Sequence, residues 1–165
     1  MKFQGLILLL AVSLMPAPAV AVSKIPPDIP IRMEAGQPVA DLQPLLANAN
    51  NPEITRVFLC RRTASRCYET VWEVEFPAGW QEPKLKLLGE YPGALVKTSK
   101  PEALQPGGSY NLSIEFHERG RWHKQTVSSL FLEFCLLEES GELRVQSKKD
   151  CLARRNSERS QEARQ

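Results

Sequence analysis

The sequence lacks a strong excess of charge of either sign: 21 Lys and Arg residues face 19 Asp and Glu residues, for a formal net charge of +2. A protein dedicated to nucleic acid would carry a clear basic excess on one face. Beyond the first 21 residues, the chain also lacks the run of 18 apolar residues that a membrane-spanning helix needs. We therefore expect no nucleic-acid partner and no stable membrane insertion of the mature chain.

Motifs of nucleotide-binding and nucleophilic enzymes are missing as well: the sequence has no Walker loop, no G-x-G-x-x-G and no G-x-S-x-G. It has only two histidines, His117 and His123, on either side of the turn Glu118–Gly120. They could form half of a metal site across a hairpin, but solvated histidines in a polar hairpin are the simpler interpretation. Glu73 and Glu75 share a strand face, which is more typical of solvent exposure than of a glycosidase pair. We predict a non-enzyme with no catalytic residue, cofactor or metal.

The first 21 residues have the pattern of an export signal. Lys2 provides a positive start, Gly5–Met15 forms an apolar run broken only by Ser13, and Ala19-Val20-Ala21 fits the small-x-small cleavage rule. We expect cleavage after Ala21, with cleavage after Ala19 as the alternative. A retained membrane anchor is disfavoured because the run is too short to cross ~30 Å of hydrocarbon.

Four cysteines remain after this segment, an even number that favours two disulfides in an exported protein. Three pairings are open. We favour Cys60–Cys67 and Cys135–Cys151, because each pair flanks a predicted local turn. A zinc site is the alternative, but no C-x-x-C occurs and the Cys60–Cys67 gap is wide for zinc ligands. The predicted location is exported, either periplasmic or secreted.

The rest of the chain divides into three parts. Residues 22–53 hold six of the 13 prolines, so we predict an extended arm with an edge strand near Ile29–Met33 and a short helical turn within Leu42–Ala49. Residues 54–151 form the predicted domain. Residues 152–165 are polar, and we expect a disordered tail or a frayed helix.

Within residues 54–151 the hydrophobic pattern has a period of two. Apolar side chains occupy alternate positions in Cys67–Phe76 and in Ser109–His117, the mark of strands with one buried face. Turn residues separate further short apolar segments, the last of which predict a hairpin over Leu130–Ser147. Seven or eight short strands with this spacing predict an all-β protein, an antiparallel β-sandwich.

The segment Leu104-x-Pro106-Gly107-x-x-Tyr110, followed by Leu112 and Ile114, resembles the E–F corner of fibronectin type III and other immunoglobulin-like sandwiches. The resemblance implies that the Tyr110 hydroxyl bonds back to the preceding loop and that the apolar positions after it face the core. It covers 11 residues and implies an immunoglobulin-like fold, not a function.

Two features are candidates for binding. The loop between the first two cysteines carries Arg61, Arg62 and Arg66, and a disulfide at its base would present these guanidinium groups to a carboxylate or phosphate. Trp80 and Trp122 each follow a turn, where aromatic side chains either anchor contacts or cap the core. The alternative for the arginines is a solvated hairpin tip.

We therefore expect an exported, non-catalytic β-sandwich binding module: a cell-envelope adaptor or assembly subunit that acts through contacts with another envelope or secreted protein. The alternative is an inhibitor of a secreted hydrolase that acts through the Arg-rich, disulfide-closed loop, because small exported domains often present a rigid loop to an active site.

Overall fold

A computed structural model describes four stretches of the chain, which are residues 28–63, 66–119, 125–147 and 149–153. The predicted signal segment, Trp122, His123 and most of the predicted polar tail lie outside these residues. Among the described residues, no helix has the length and hydrophobicity that crossing a lipid bilayer requires.

Nine β-strands are present in the described residues, and they form two antiparallel sheets. The strands are β1 (Ile31–Glu34), β2 (Gln37–Asp41), β3 (Glu53–Thr63), β4 (Arg66–Glu75), β5 (Lys84–Lys86), β6 (Leu95–Ser99), β7 (Ser109–Arg119), β8 (Gln125–Glu139) and β9 (Glu142–Ser147). A short helix, α1 (Gln43–Asn48), and a 3₁₀ turn, Pro101–Ala103, complete the described elements.

The large sheet has six strands in the order β6-β4-β3-β7-β8-β9, and the small sheet has three in the order β1-β2-β5. One face of the large sheet, here called the inner face, packs with the small sheet and α1 around a single hydrophobic cluster. The predicted all-β sandwich is therefore confirmed. The largest fully buried side chains of this cluster include Trp72, Tyr110, Leu42, Leu45, Ile54, Leu59, Leu85, Leu87, Leu112 and Ile114.

The predicted edge strand and helical turn are present as β1 and α1. The structure differs from the expectation of an extended arm because β2 forms as well and residues 28–53 contribute to the core. Ala40, Leu42 and Leu45 are buried. Pro44 does not prevent this, since it lies in the first turn of α1, where the helix needs no backbone N–H. The β1–β2 hairpin turns through Ala35 and Gly36, whose φ angles of 49° and 78° match the type I′ turn that suits two-residue hairpins.

The tyrosine corner implied by the resemblance is present. The Tyr110 hydroxyl accepts a hydrogen bond from the backbone N–H of Gln105 (2.8 Å) and donates one to the carbonyl of Ala103 (2.8 Å). Burial is the main cause that raises the pKa of this phenol, so it keeps the proton that it donates. A Cβ at Gly108 would overlap the Tyr110 ring, which explains why a residue without a side chain precedes β7.

Tyr110→Phe is expected to lower the free energy of unfolding by about 1–3 kcal/mol, because it leaves the Gln105 N–H and the Ala103 carbonyl without their partner. Urea denaturation followed by circular dichroism measures the change. Tyr68→Phe is the matched control, since Tyr68 is an exposed tyrosine, and it should leave the unfolding midpoint unchanged. Equal midpoints for the two variants would show that the corner bonds contribute no net stability.

Both predicted disulfides are present. Cys60 pairs with Cys67, across β3 and β4, and Cys135 of β8 pairs with Cys151 in a helical segment that spans residues 149–153. No described cysteine is free. Disulfides persist in oxidising compartments and are rare in the reducing cytosol, so the pairing fits an exported protein.

Candidate functional site

The β3–β4 hairpin does not gather its three arginines into one cluster. In the pairing with β7, Arg61 lies opposite Tyr110 and Arg62 lies opposite Ser109. Since successive side chains of a strand point to opposite faces, Arg61 shares the inner face with Tyr110, whereas Arg62 points to the other face. There Arg62 forms an ion pair with Glu133 of β8. Arg66 is exposed at the start of β4, so each arginine has different surroundings.

Trp80 is placed inside the sandwich and not on its surface. Its side chain is only 8% exposed, its ring stacks on Phe76 at a centroid distance of 4.0 Å, and it contacts Tyr91 edge-on at 5.5 Å. The Tyr91 hydroxyl accepts from the backbone N–H of Lys86 and donates to the carbonyl of the same residue. Burial raises the pKa of Tyr91 to about 12, so the phenol stays neutral here. This cluster closes one end of the core and leaves Trp80 little area for a partner.

The second face of the large sheet, here called the outer face, was not predicted as a site. Strand register places one row of side chains across its middle. The row runs from β6 to β8 through Thr98, Glu73, Phe58, Ser113 and Phe131. Phe131 is 66% exposed, although a solvated face would normally carry polar residues at such a position.

Ion pairs between neighbouring strands lie beside this row, around β3 and β4. Arg56 donates to Glu73 at 2.6 Å and lies 3.9 Å from Glu115, while Lys97 lies 3.3 Å from Glu75. The hydrogen bond to Glu73 is the main cause that raises the pKa of Arg56, and the nearby carboxylates add to the shift. The predicted Glu73–Glu75 face therefore exists. Each of these two carboxylates is paired with a base, an arrangement that the alternation of β4 alone could not reveal.

The outer face offers contact chemistry more readily than catalysis. In the part of the chain that the structure describes, no three His, Cys, Asp or Glu side chains come together as a metal site would require. His117 lies opposite Glu53 on one side and Val127 on the other, and its predicted neighbour His123 is outside the described residues. The arrangement consists of exposed aromatic and aliphatic side chains beside fixed ion pairs, which is the composition of many protein–protein interfaces.

Comparison with known proteins gives one clear relative. The chain is 48% identical over 161 residues to the type VI lipase immunity protein Tli3 of Pseudomonas aeruginosa, and the match covers 98% of each chain. No family model matches the sequence, and no solved structure matches it. Identity of this extent over nearly the whole of both chains shows common descent and a common fold. The chain belongs to the family of the type VI lipase immunity protein Tli3.

Proposed function

We propose that this chain is an immunity protein that binds and inhibits a lipase effector of a type VI secretion system. The observation that carries the proposal is the 48% identity to Tli3 over 98% of both chains. This identity favours an inhibitor of a secreted hydrolase, the alternative expected from the sequence, and not a cell-envelope adaptor. An immunity protein against a lipase is an inhibitor of a secreted hydrolase.

The architecture supports inhibition by binding. A single hydrophobic cluster packs the two sheets together, and the disulfides crosslink β3 to β4 and β8 to the segment 149–153. A surface that is ordered before binding loses little entropy when a partner docks. An inhibitor of this kind acts by occupying surface on the lipase and needs no nucleophile or cofactor of its own.

The proposed location is the periplasm. Disulfide formation requires an oxidising compartment, both pairs are formed, and the first 21 residues have the composition of an export signal. Fractionation of host cells that express a tagged full-length chain should recover the chain in the periplasm. Alkylation of the unreduced cell extract should find no free thiol on the tagged chain. Recovery in the cytosol with reactive thiols would contradict this location.

The inhibition itself is tested with the oxidised mature chain, residues 22–165, and each type VI lipase effector of its own host. Hydrolysis of phospholipid vesicles by one of these lipases should fall in proportion to added chain and reach completion near equimolar ratio. An unrelated secreted lipase is the control and should keep its full rate. Undiminished hydrolysis by every effector tested, even with the chain in excess, would refute the proposal and return the adaptor to first place.

The hypothesis that the arginine hairpin makes the inhibitory contact remains a prediction. Arg61→Ala/Arg66→Ala removes two charges but leaves the Arg62–Glu133 pair in place, so the variant should fold normally. If the hairpin makes the main contact, the concentration needed for half-inhibition should rise about 30-fold or more, as expected when contacts of hot-spot strength are lost. Unchanged inhibition would locate the contact elsewhere.

A further inference from the structure

We infer that the outer face of the large sheet is the surface that docks the lipase, with Phe131 as its central anchor and a basic, apolar-centred surface of the lipase as its occupant. The inference rests on the proposed function and adds to it the place of contact and the chemistry of the partner's surface.

The first argument is the uneven covering of the two faces. On β8, Leu130, Phe134 and Leu136 are buried under the small sheet and α1. On the outer face of the same strand, Phe131 is 66% exposed and Val127 is 70% exposed. Exposed apolar residues that stand alone need no explanation, but these two lie four residues apart on one strand and therefore on the same face.

The second argument is the shape of the central row. Ser113 lies between Phe58 and Phe131 and is opposite each of them in the register. Neighbouring strands are ~4.8 Å apart, which puts the backbones that bear the two rings ~10 Å apart. A small side chain between two rings leaves a shallow recess wide enough for one aliphatic or aromatic side chain of a partner, the geometry in which binding hot spots form.

The third argument is charge. Around the central row, four carboxylates, on Glu73, Glu75, Glu115 and Glu133, form ion pairs with three bases, Arg56, Arg62 and Lys97. These pairs leave one carboxylate in excess, because Glu115 shares Arg56 with Glu73, so the net charge of the ion-paired groups is negative. Complementarity then requires Lys or Arg on the lipase around the apolar centre, and the existing pairs hold the carboxylates in position before contact.

The other surfaces of the protein offer less support for a docking site. The edge strand β6 is only five residues long and bears Lys97 in an ion pair, two features that protect a sheet edge from accepting another strand. An apolar groove of about 450 Å³ between the sheets is lined by Leu87, Leu104 and Leu136 among others, but no feature of it selects an occupant. The hairpin arginines point to different faces.

The test compares Phe131→Glu with Tyr68→Glu in the full oxidised mature chain, against the lipase that the wild-type protein inhibits. Both side chains are 66% exposed, so neither substitution should change the unfolding midpoint. Tyr68 lies on β4 level with Arg61 and Arg62 of β3, three to four residues from Phe58 of the central row, or ~10–13 Å along the strand. We expect Phe131→Glu to weaken lipase binding, measured by titration calorimetry, about 30-fold or more, and Tyr68→Glu to weaken it less than about 3-fold.

A charge reversal adds an independent arm. Glu115→Lys should weaken binding, while Glu115→Gln should weaken it less, because reversal places a like charge against the basic surface of the lipase. The inference is overturned if Phe131→Glu binds as the wild type does, or if only Arg61→Ala/Arg66→Ala loses affinity. Failure of the proposed function is a distinct result, since the wild-type chain would then inhibit none of the lipases.

Discussion

Trp72→Ala is expected to lower the free energy of unfolding by about 3–5 kcal/mol, the usual cost of truncating a large buried aromatic residue. Trp72 is fully buried at the centre of β4, where it lies opposite Leu59 on β3 and Ser99 on β6. Its ring is 6.4 Å from that of Tyr91, so its loss would open a cavity between the two sheets. Urea denaturation of the oxidised chain, followed by far-ultraviolet circular dichroism, measures the change.

Two further variants make this result specific. The Trp72 ring N–H has no hydrogen-bond partner among the described residues, so Trp72→Phe removes a buried unpaired donor and should cost clearly less than the alanine variant. Phe131→Ala truncates an aromatic residue that is largely exposed and should change stability by no more than about 0.5 kcal/mol. A loss below about 1 kcal/mol for Trp72→Ala would contradict the core described here.

Cys135→Ser/Cys151→Ser is expected to lower the free energy of unfolding by about 2–5 kcal/mol. The bridge joins residues 16 apart in sequence and ties the segment after β9 to the part of β8 that pairs with β9. Without it, the unfolded chain gains the freedom that the loop had removed. Cys60→Ser/Cys67→Ser opens a bridge that joins residues only 7 apart, and chain entropy alone makes its cost about 0.7 kcal/mol smaller.

The two disulfide variants also show whether the bridges affect only the stability of the chain or also its contact with the lipase. Each should be measured for unfolding and, well below its unfolding midpoint, for lipase inhibition. Cys60 lies two residues from Phe58 and Cys135 lies four residues from Phe131, so both bridges border the docking row but neither supplies a side chain to it. Inhibition by each folded variant should therefore stay near that of the wild type. A larger loss of stability from the short bridge than from the long one would contradict the chain-entropy account of these crosslinks.

The sequence by itself determined the strands that lie in the middle of the large sheet. In β7 the apolar side chains alternate without interruption, and in β4 they alternate except where a bulge sets the buried Val71 beside Trp72. The pleat of a strand converts that period directly into one buried face. The short spacing within each cysteine pair anticipated both disulfides. The Tyr110 corner is also local, because its hydroxyl reaches backbone groups only five and seven residues earlier.

Only the tertiary structure decided the roles of residues whose neighbours are distant in sequence. Residues 28–53 appeared to be an arm because of their prolines, yet Ala40 and Leu42 found burial against strands formed later in the chain. Trp80 turned inward because Phe76 and Tyr91 provided an aromatic niche.

Register between non-adjacent segments decided the candidate surface in the same way. It separated Arg61 from Arg62 and brought Arg62 to Glu133, and it set Phe58, Ser113 and Phe131 in one row. A slip of one residue in any of these pairings would have moved a strand's whole set of side chains to the other face. Local pattern therefore determined which face of each strand is buried, and long-range pairing alone decided which exposed groups meet.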